Sequence, residues 1–400
     1  MVTATPTVLG DGVPGYLQAP NTRPTLARNH LATLDGFRGL AALSVLLVHV
    51  MGEMHLQASS RPVPLDRLVP HVHLAVDFFF MLSGYVIAKA YEVKLVTSMP
   101  FSQFISVRLV RLYPLIFVGV ALGAFSLAIR VVMTHTPSPG QLLIATLSAL
   151  FILPTTAVLS VFPGELFPIN LPEWSLLFEL LINVLYAAIV RWLSTSKLIA
   201  ICVVSFVVLC WMAASSDRLL DIGMGVRPVG IIPADIWCGF IRVTFPFFLG
   251  VLLFRRRLSW STGNATSIVL SLVFLAVLYV PAFPRSWAYE VMAVALVFPI
   301  ILLIGATCKT TPKLTKLFIS LGELSYPLYV THNPVTRIFI NILKTLHIRL
   351  PNAVAIALCC LTAVVAAIVL LKCWDRPVRN WLSLRVRRPA PGFEQRLPAI

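Results

Sequence analysis

The stretch LDGFRGLAALSVLLVHV, residues 34–50, decides the fold of this chain. It is almost entirely apolar and lies in a run of about 20 residues, the length of α-helix that crosses a hydrocarbon core about 30 Å thick. Lipid offers no hydrogen bonds to backbone groups, so such a run must satisfy them internally as a helix. The stretch therefore predicts a membrane-spanning helix.

The composition of the whole chain agrees with this prediction. Its 400 residues are 58% hydrophobic and 12% charged, and the mean hydropathy is +0.88, whereas soluble domains are about half apolar and a quarter charged. The net charge of +16 is concentrated beside apolar segments, as at Arg255–Arg257, which is typical of the cytoplasmic loops of membrane proteins. We therefore expect the lipid bilayer as a partner and no nucleic acid.

Apolar segments recur along the chain. There are eleven, at residues 34–54, 71–91, 105–133, 141–159, 172–192, 197–215, 235–254, 265–283, 287–307, 318–343 and 353–373. Eleven crossings would place several basic clusters outside the cell, against the positive-inside rule. Removing the weakest segment, 141–159, restores the rule. The sequence thus predicts an all-α polytopic integral membrane helix bundle with about ten transmembrane helices, one re-entrant or interfacial segment and both termini cytoplasmic.

Two tails flank this single membrane domain. Residues 1–30 are rich in Pro, Thr and Gly and predict a flexible cytoplasmic tail, without the apolar core of a secretory signal. Residues 31–376 form the predicted membrane domain, and residues 377–400 a basic cytoplasmic tail.

The cysteines and one histidine pair do not indicate a metal site. The seven cysteines are odd in number and show no C-x-x-C spacing, so we interpret them as reduced packing residues. His71 and His73 have no third ligand beside them. We expect no metal and no permanently bound cofactor.

Two ionisable side chains interrupt the first span. Arg38 and His49 are eleven residues apart, close to three turns, so they lie nearly on one face and about 16 Å apart along the axis. Intramembrane charges by default indicate function, and imidazole is suited to removing a proton near neutral pH. Alternatively, Arg38 reaches the cytoplasmic surface, with Asp35 one turn earlier as its partner, and His49 bonds a neighbouring carbonyl.

The next two spans add a carboxylate and two arginines. Asp77 needs a buried partner, and function or helix packing explains it equally well, whereas Ser83-Gly84 favours packing. Arg108 and Arg111, three residues apart, point the same way on a helix. Their forked guanidinium groups can grip phosphates, although anchoring at the cytoplasmic surface is the alternative.

Later segments supply the remaining candidates. Glu179 lies inside the apolar run of the fifth segment and is either functional or part of a structural hydrogen bond between helices. The tenth segment carries polar residues around Pro327 and Pro334, which should bend it. Such a helix is expected inside the protein or lining a cavity rather than facing lipid.

Five motifs occur in a fixed order, namely LDGFRGLAALSVLLVH, VDFFFMLSGYVI, F-x-x-x-R-x-x-R-L-Y-P, N-x-P-x-W-S-L-x-x-x-E and LG-x-x-SYPLYV-x-H-x-P. Together they resemble the acyltransferase 3 family of membrane O-acyltransferases over residues 34 to about 373. The resemblance implies about ten spans and transfer of an acetyl or other short acyl group from acyl-CoA, usually acetyl-CoA. The implied acceptor is a sugar hydroxyl of a polysaccharide, lipopolysaccharide, peptidoglycan, glycolipid or glycoside. We expect the location to be a bacterial inner membrane.

The resemblance also implies roles for individual residues. In the family's pattern, the first-span arginine and histidine match Arg38 and His49, the arginine pair matches Arg108 and Arg111, and the glutamate after the W-S motif matches Glu179. Together with the chemistry of the other polar residues, we predict as catalytic His49, Arg38, Glu179 and Asp77, as donor-binding Arg108 and Arg111, and as acceptor-binding or cavity-lining Asp35, Trp174, Ser175, Tyr326, Tyr329 and His332. Many relatives have a second acidic residue directly after the glutamate that Glu179 matches. Leu180 stands there in this chain, which argues against a carboxylate pair.

The resulting hypothesis is an acyl transfer inside the bundle. Acyl-CoA enters from the cytoplasm with its phosphates on the two arginines of the third span, and His49 removes the proton of the acceptor hydroxyl, directly or after transient acylation. A secondary transporter that uses intramembrane His, Arg and Glu is the alternative. The absence of a visible inverted repeat and the enzyme-like motifs favour the transferase.

Overall fold

We describe the fold from a computed structural model of the chain. It describes residues 31–58, 71–134, 136–155, 166–216, 232–256, 262–281 and 283–386. The predicted tail 1–30 and the part of the predicted tail 377–400 that follows Val386 lie outside these residues.

Helices account for nearly all of the described chain. They are α1 Ala32–Ala58, α2 Leu74–Thr97, α3 Phe101–Thr134, α4 Pro139–Leu150, α5 Glu173–Ile189, α6 Thr195–Ser216, α7 Ile232–Arg256, α8 Asn264–Leu278, α9 Trp287–Gly305, α10 Pro312–Thr345 and α11 Asn352–Val386. A 3₁₀ turn, Val190–Trp192, follows α5, and single π-helical stretches lie within α9 and α11. Each of the eleven apolar segments contains one of these helices, which confirms the all-α prediction.

Eight of the described helices are long and apolar enough to cross a membrane. The exceptions are α4 and α8, with 12 and 15 residues, and α10, which is long but carries many polar residues. The chain is therefore an integral membrane protein with several spanning helices. The segment predicted as re-entrant, 141–159, is helical only as far as Leu150, and its last residues lie outside the described ranges.

Close packing of α1 against α10 forms the centre of the bundle. A Cβ added to Gly322 would lie 2.5 Å from Cβ of Asp35, and one added to Gly36 would lie 2.5 Å from the ring of Phe318. Small residues at such crossings allow the helix backbones to approach. On α2, Gly84 likewise lies against the backbone of Phe247 in α7, so the packing interpretation of this glycine is confirmed.

A proline frees one carbonyl within α10. Pro334 has no N–H, so it cannot donate to the carbonyl oxygen of Val330 one turn earlier. Asn170 Nδ2 donates to that oxygen instead, at 3.0 Å. This hydrogen bond fixes the segment before α5 to the middle of α10, where several of the candidate residues lie.

Buried ion pairs connect the helices. Arg242 on α7 makes two hydrogen bonds to the carboxylate of Asp77 on α2, at 2.9 and 2.6 Å. Arg255 donates to Glu92 at 2.9 Å, and Tyr186 donates to the other oxygen of that carboxylate at 2.8 Å. Charged groups far from water need such partners, and these join α2 to α7 at two levels.

Candidate active site

An open pocket lies between five helices. It is lined by Arg38 on α1, Ser83 on α2, Arg108 and Arg111 on α3, Ser175 and Glu179 on α5, Tyr326 and Tyr329 on α10, and apolar residues between them. We call it the arginine pocket. Its empty space, counted together with the open mouth, is about 740 Å³.

One ion pair lies in the wall of the arginine pocket. Arg108 Nη2 is 2.8 Å from Glu179 Oε1, and Ser83 Oγ donates to the same oxygen at 3.2 Å. The Arg108 side chain is only 4% exposed, but Glu179 is 23% exposed towards the pocket. The carboxylate therefore has one oxygen fixed by the protein and remains accessible from the pocket.

The other two cations of the pocket are less compensated. Arg38 Nη1 lies 3.4 Å from Asp35 Oδ1, a long and partly exposed pair. Arg111 is half-buried and makes no ion pair within the described part of the chain. Because both side chains line the same pocket, their charges favour an anionic ligand there.

Two tyrosines from α10 are held by hydrogen bonds. The hydroxyls of Tyr329 and Ser175 are 2.6 Å apart. Tyr326 donates to the carbonyl oxygen of Leu112 at 2.6 Å. A fixed hydroxyl has a defined direction, so these contacts give the pocket polar groups of constant orientation.

His49 lies outside the lining of the arginine pocket. Its ring packs against that of His332 with centroids 4.8 Å apart, and its Nδ1 lies 2.8 Å from the carbonyl oxygen of Val45. Arg337 and Glu53, 3.4 Å apart, lie nearby. We call His49, His332, Glu53 and Arg337 the histidine cluster.

Tyr329 connects the two regions. It lines the arginine pocket, and its ring centroid is 6.1 Å from that of His332 and 5.6 Å from that of Phe79. The ring of Tyr329 therefore lies between the pocket and His332 of the histidine cluster. The hydrogen bond of His49 to Val45 is the one that the structural interpretation expects, but it occupies only Nδ1 and leaves Nε2 for another ligand.

Two predicted site residues lie in the protein interior instead. Asp77 is bound to Arg242, and both side chains are 1% exposed. The guanidinium carbon of Arg242 lies 5.7 Å from the ring of Trp174. Neither Asp77 nor Trp174 lines the arginine pocket. Their contacts are those of a buried network that positions α2, α5 and α7.

The sequence interpretation missed other members of that network. Glu290 on α9 accepts a hydrogen bond from His71 at 3.0 Å and one from Ser286 at 3.2 Å, and His73 lies 3.5 Å away. Burial lowers the pKa of His73 below that of an ordinary histidine, against the opposing effect of Glu290. Arg242 and Glu290 each interrupt an apolar run, which was a usable signal, but a single sequence does not reveal which charges pair.

Comparisons with known proteins give the family of this membrane protein. The family model described as an acyltransferase domain, that of the acyltransferase 3 family, matches residues 31–372. The chain therefore belongs to this family of acyltransferases. It is also similar to the protein called "Protein 2 in picA locus" of Rhizobium radiobacter, with 36% identity over 195 residues that cover 45% of this chain and 93% of the relative. No solved structure matches it significantly.

Proposed function

We propose that this acyltransferase moves an acetyl or other short acyl group from acyl-CoA to a sugar hydroxyl. The acceptor would belong to a polysaccharide, lipopolysaccharide, glycolipid or glycoside. The observation that supports this most is a pocket in which Arg38 and Arg111 are less compensated than Arg108, and which adjoins His332 of the imidazole pair through the ring of Tyr329. Anion binding and proton removal, the two requirements of this reaction, thereby occur next to each other.

The donor binds in the arginine pocket in this proposal. Arg111 and Arg38 contact the phosphates of coenzyme A, since their charges are the least compensated. Arg108 contributes mainly by holding Glu179, because its guanidinium group is already engaged by that carboxylate. The thioester carbonyl then lies towards Tyr329 and the histidine cluster.

His49 supplies the base. A backbone carbonyl only accepts hydrogen bonds, so the contact with Val45 keeps the proton on Nδ1 and leaves Nε2 as the basic nitrogen. Nε2 removes the proton of the sugar hydroxyl, and the oxygen bonds to the thioester carbonyl carbon. The carbon–sulfur bond breaks, the electron pair leaves with sulfur, and the proton is finally returned to that thiolate.

We further propose ten crossings in a bacterial inner membrane, with both termini cytoplasmic. In this arrangement α8 and α10 cross the membrane and α4 does not. Each of the contacts His71–Glu290, Glu92–Arg255 and Glu53–Arg337 then joins helix ends on the same side. A phosphatase fused to the C-terminus should be inactive, and an active periplasmic fusion would overturn the arrangement.

Transfer is tested with purified protein, labelled acetyl-CoA and a panel of sugars and glycolipids. We expect an acetyl ester on one class of acceptor, together with release of coenzyme A. If the chain is instead a secondary transporter, solute crosses the membrane of loaded vesicles and no acyl ester forms. That result would refute the proposed reaction.

A further inference from the structure

The histidine cluster brings two imidazoles together inside the bundle. His49 comes from α1 and His332 from α10, and their rings meet edge to face with centroids 4.8 Å apart and planes inclined by 67°. His332 is fully buried and His49 half-buried. Such a contact between two bases is more than apolar packing requires, since leucine or phenylalanine would fill the same space.

Hydrogen bonds fix the tautomer of both rings. His49 Nδ1 lies 2.8 Å from the carbonyl oxygen of Val45. His332 Nδ1 lies 3.0 Å from that of Leu328 and 2.8 Å from that of Tyr329. Because carbonyl oxygens only accept, Nδ1 carries a hydrogen in both rings. The proton that can come and go is therefore on Nε2 in each case.

Nε2 of His332 is buried without a hydrogen-bond partner in the described structure. Buried polar atoms nearly always have a partner, and the exceptions call for an explanation. Two neighbouring imidazolium ions away from water would repel each other strongly. Together, the two rings therefore hold at most one additional proton.

We propose that His332 is a positioning residue of the acyl transfer, and that it shares with His49 the single proton taken from the acceptor. This rests on the proposed function for donor and acceptor. The hydroxyl proton passes to Nε2 of His49 and is shared with Nε2 of His332 while the new carbon–oxygen bond forms. When the carbon–sulfur bond breaks, the same proton goes to the thiolate through His49. The products are an ester and coenzyme A thiol, and both rings are neutral again.

The proton shared by the two histidines is the charge that changes within the histidine cluster during the reaction. The titratable and charged groups near the pair are Glu53 on α1 and Arg337 and Tyr329 on α10, and Cys359 on α11 lies near Glu53. Glu53 and Arg337 are 3.4 Å apart and offset each other. Uptake of one proton therefore changes the net charge of the cluster, and sharing it between two nitrogens stabilises the protonated state.

The test uses a substitution that separates the two nitrogens of His332. In His332→Asn the amide can still donate to the Leu328 and Tyr329 carbonyls, as Nδ1 does, but nothing replaces Nε2. We expect kcat to fall roughly a hundredfold, at the lower end of what acid–base catalysis contributes, with the KM for acetyl-CoA unchanged. The acid limb of the rate profile should move to lower pH, because His49 alone binds the proton less well.

A buried neighbour provides the matched control. Thr331→Val removes a hydrogen bond within α10, that of Thr331 Oγ1 to the carbonyl oxygen of Pro327 at 2.8 Å, and should leave the acid limb in place. Wild-type kcat and an unmoved acid limb in folded His332→Asn would overturn the proposal.

A second measurement does not depend on turnover. Nitrogen NMR of histidine-labelled protein in bilayers should show the two rings taking up one proton jointly, and this shared signal should disappear in His332→Asn. Two independent titrations would refute the pair. If the wild type transfers no acyl group from any acyl-CoA, the proposed function fails, and the NMR result still decides the pair.

Discussion

Two arginine–carboxylate pairs inside the bundle have the same chemistry and opposite surroundings. Arg242 and Asp77 are each 1% exposed and joined by two hydrogen bonds. In the second pair Arg108 is as deeply placed, but Glu179 is 23% exposed and lines a pocket with two further arginines. A charged side chain within the membrane is therefore not by itself evidence of a functional site. A charged side chain that is also accessible from a pocket is a candidate for one.

Replacing the base near the pocket should have the largest effect. His49→Ala is expected to lower turnover by about 10²–10⁴-fold, the usual contribution of a general base, while the melting temperature stays close to that of the wild type. His347→Asn, at an exposed histidine after α10, serves as the control and should change neither quantity. A lower melting temperature of His49→Ala would mean that His49 belongs to the residues that stabilise the fold.

Breaking the fully buried pair of Arg242 and Asp77 should instead lower the stability of the protein. Arg242→Met leaves Asp77 buried without its main partner, and the loss of one member of a buried pair costs about 3–5 kcal/mol of stability. Thermal unfolding in detergent measures this. The double variant Asp77→Leu, Arg242→Met removes both charges and should recover most of the stability. If Arg242→Met alone is as stable as the wild type, the pair of Arg242 and Asp77 does not stabilise the fold.

The less compensated cation should matter most for the donor. Arg111→Lys keeps the charge but loses the planar fork, and the loss of a charge-assisted hydrogen bond, about 1.5–3 kcal/mol, corresponds to a roughly ten- to hundredfold weaker donor interaction. The KM for acetyl-CoA measures this. Arg108→Lys should act mainly on kcat, through Glu179, and the exposed Arg349→Lys is the control. An unchanged KM in Arg111→Lys together with an unchanged kcat in Arg108→Lys would reduce these arginines to membrane anchors.

The smallest effect is expected at the serine that supports the pocket carboxylate. Ser83→Ala removes one hydrogen bond to Glu179 Oε1, worth about 0.5–1.5 kcal/mol. Turnover should fall by roughly two- to tenfold, because the ion pair with Arg108 still holds the carboxylate. Wild-type turnover would show that this oxygen needs no second donor.

The sequence predicted more of the fold than of the contacts between helices. Apolar runs set helix positions locally, so every predicted segment contains a helix. Asp77 and Arg242 are 165 residues apart, and nothing local in the sequence indicates that they meet. His49 and His332 were both predicted as site residues, but their contact depends on how α1 packs on α10.

The polar middle of α10 is a second example of contacts that the sequence alone does not predict. Its polar residues predicted a helix that lies inside the protein rather than facing lipid, and the burial of Ser325, His332 and Asn333 agrees with this. Which residues face the arginine pocket and which face α1 depends on how α10 packs against its neighbours and on the Asn170 contact with the Val330 carbonyl. The periodicity of an ideal helix does not provide this information.

The central claim is that the donor occupies the arginine pocket with its acyl end towards Tyr329. The most direct measurement is photolabelling with a short acyl-CoA that carries a diazirine on its acyl chain, followed by peptide mass spectrometry. We predict labelled peptides from α2 around Phe79 and from α10 around Tyr329 and His332, with labelling prevented by excess acetyl-CoA and weakened in Arg111→Lys. Competable labelling confined to helices that do not line the pocket, such as α6 or α8, would contradict the account.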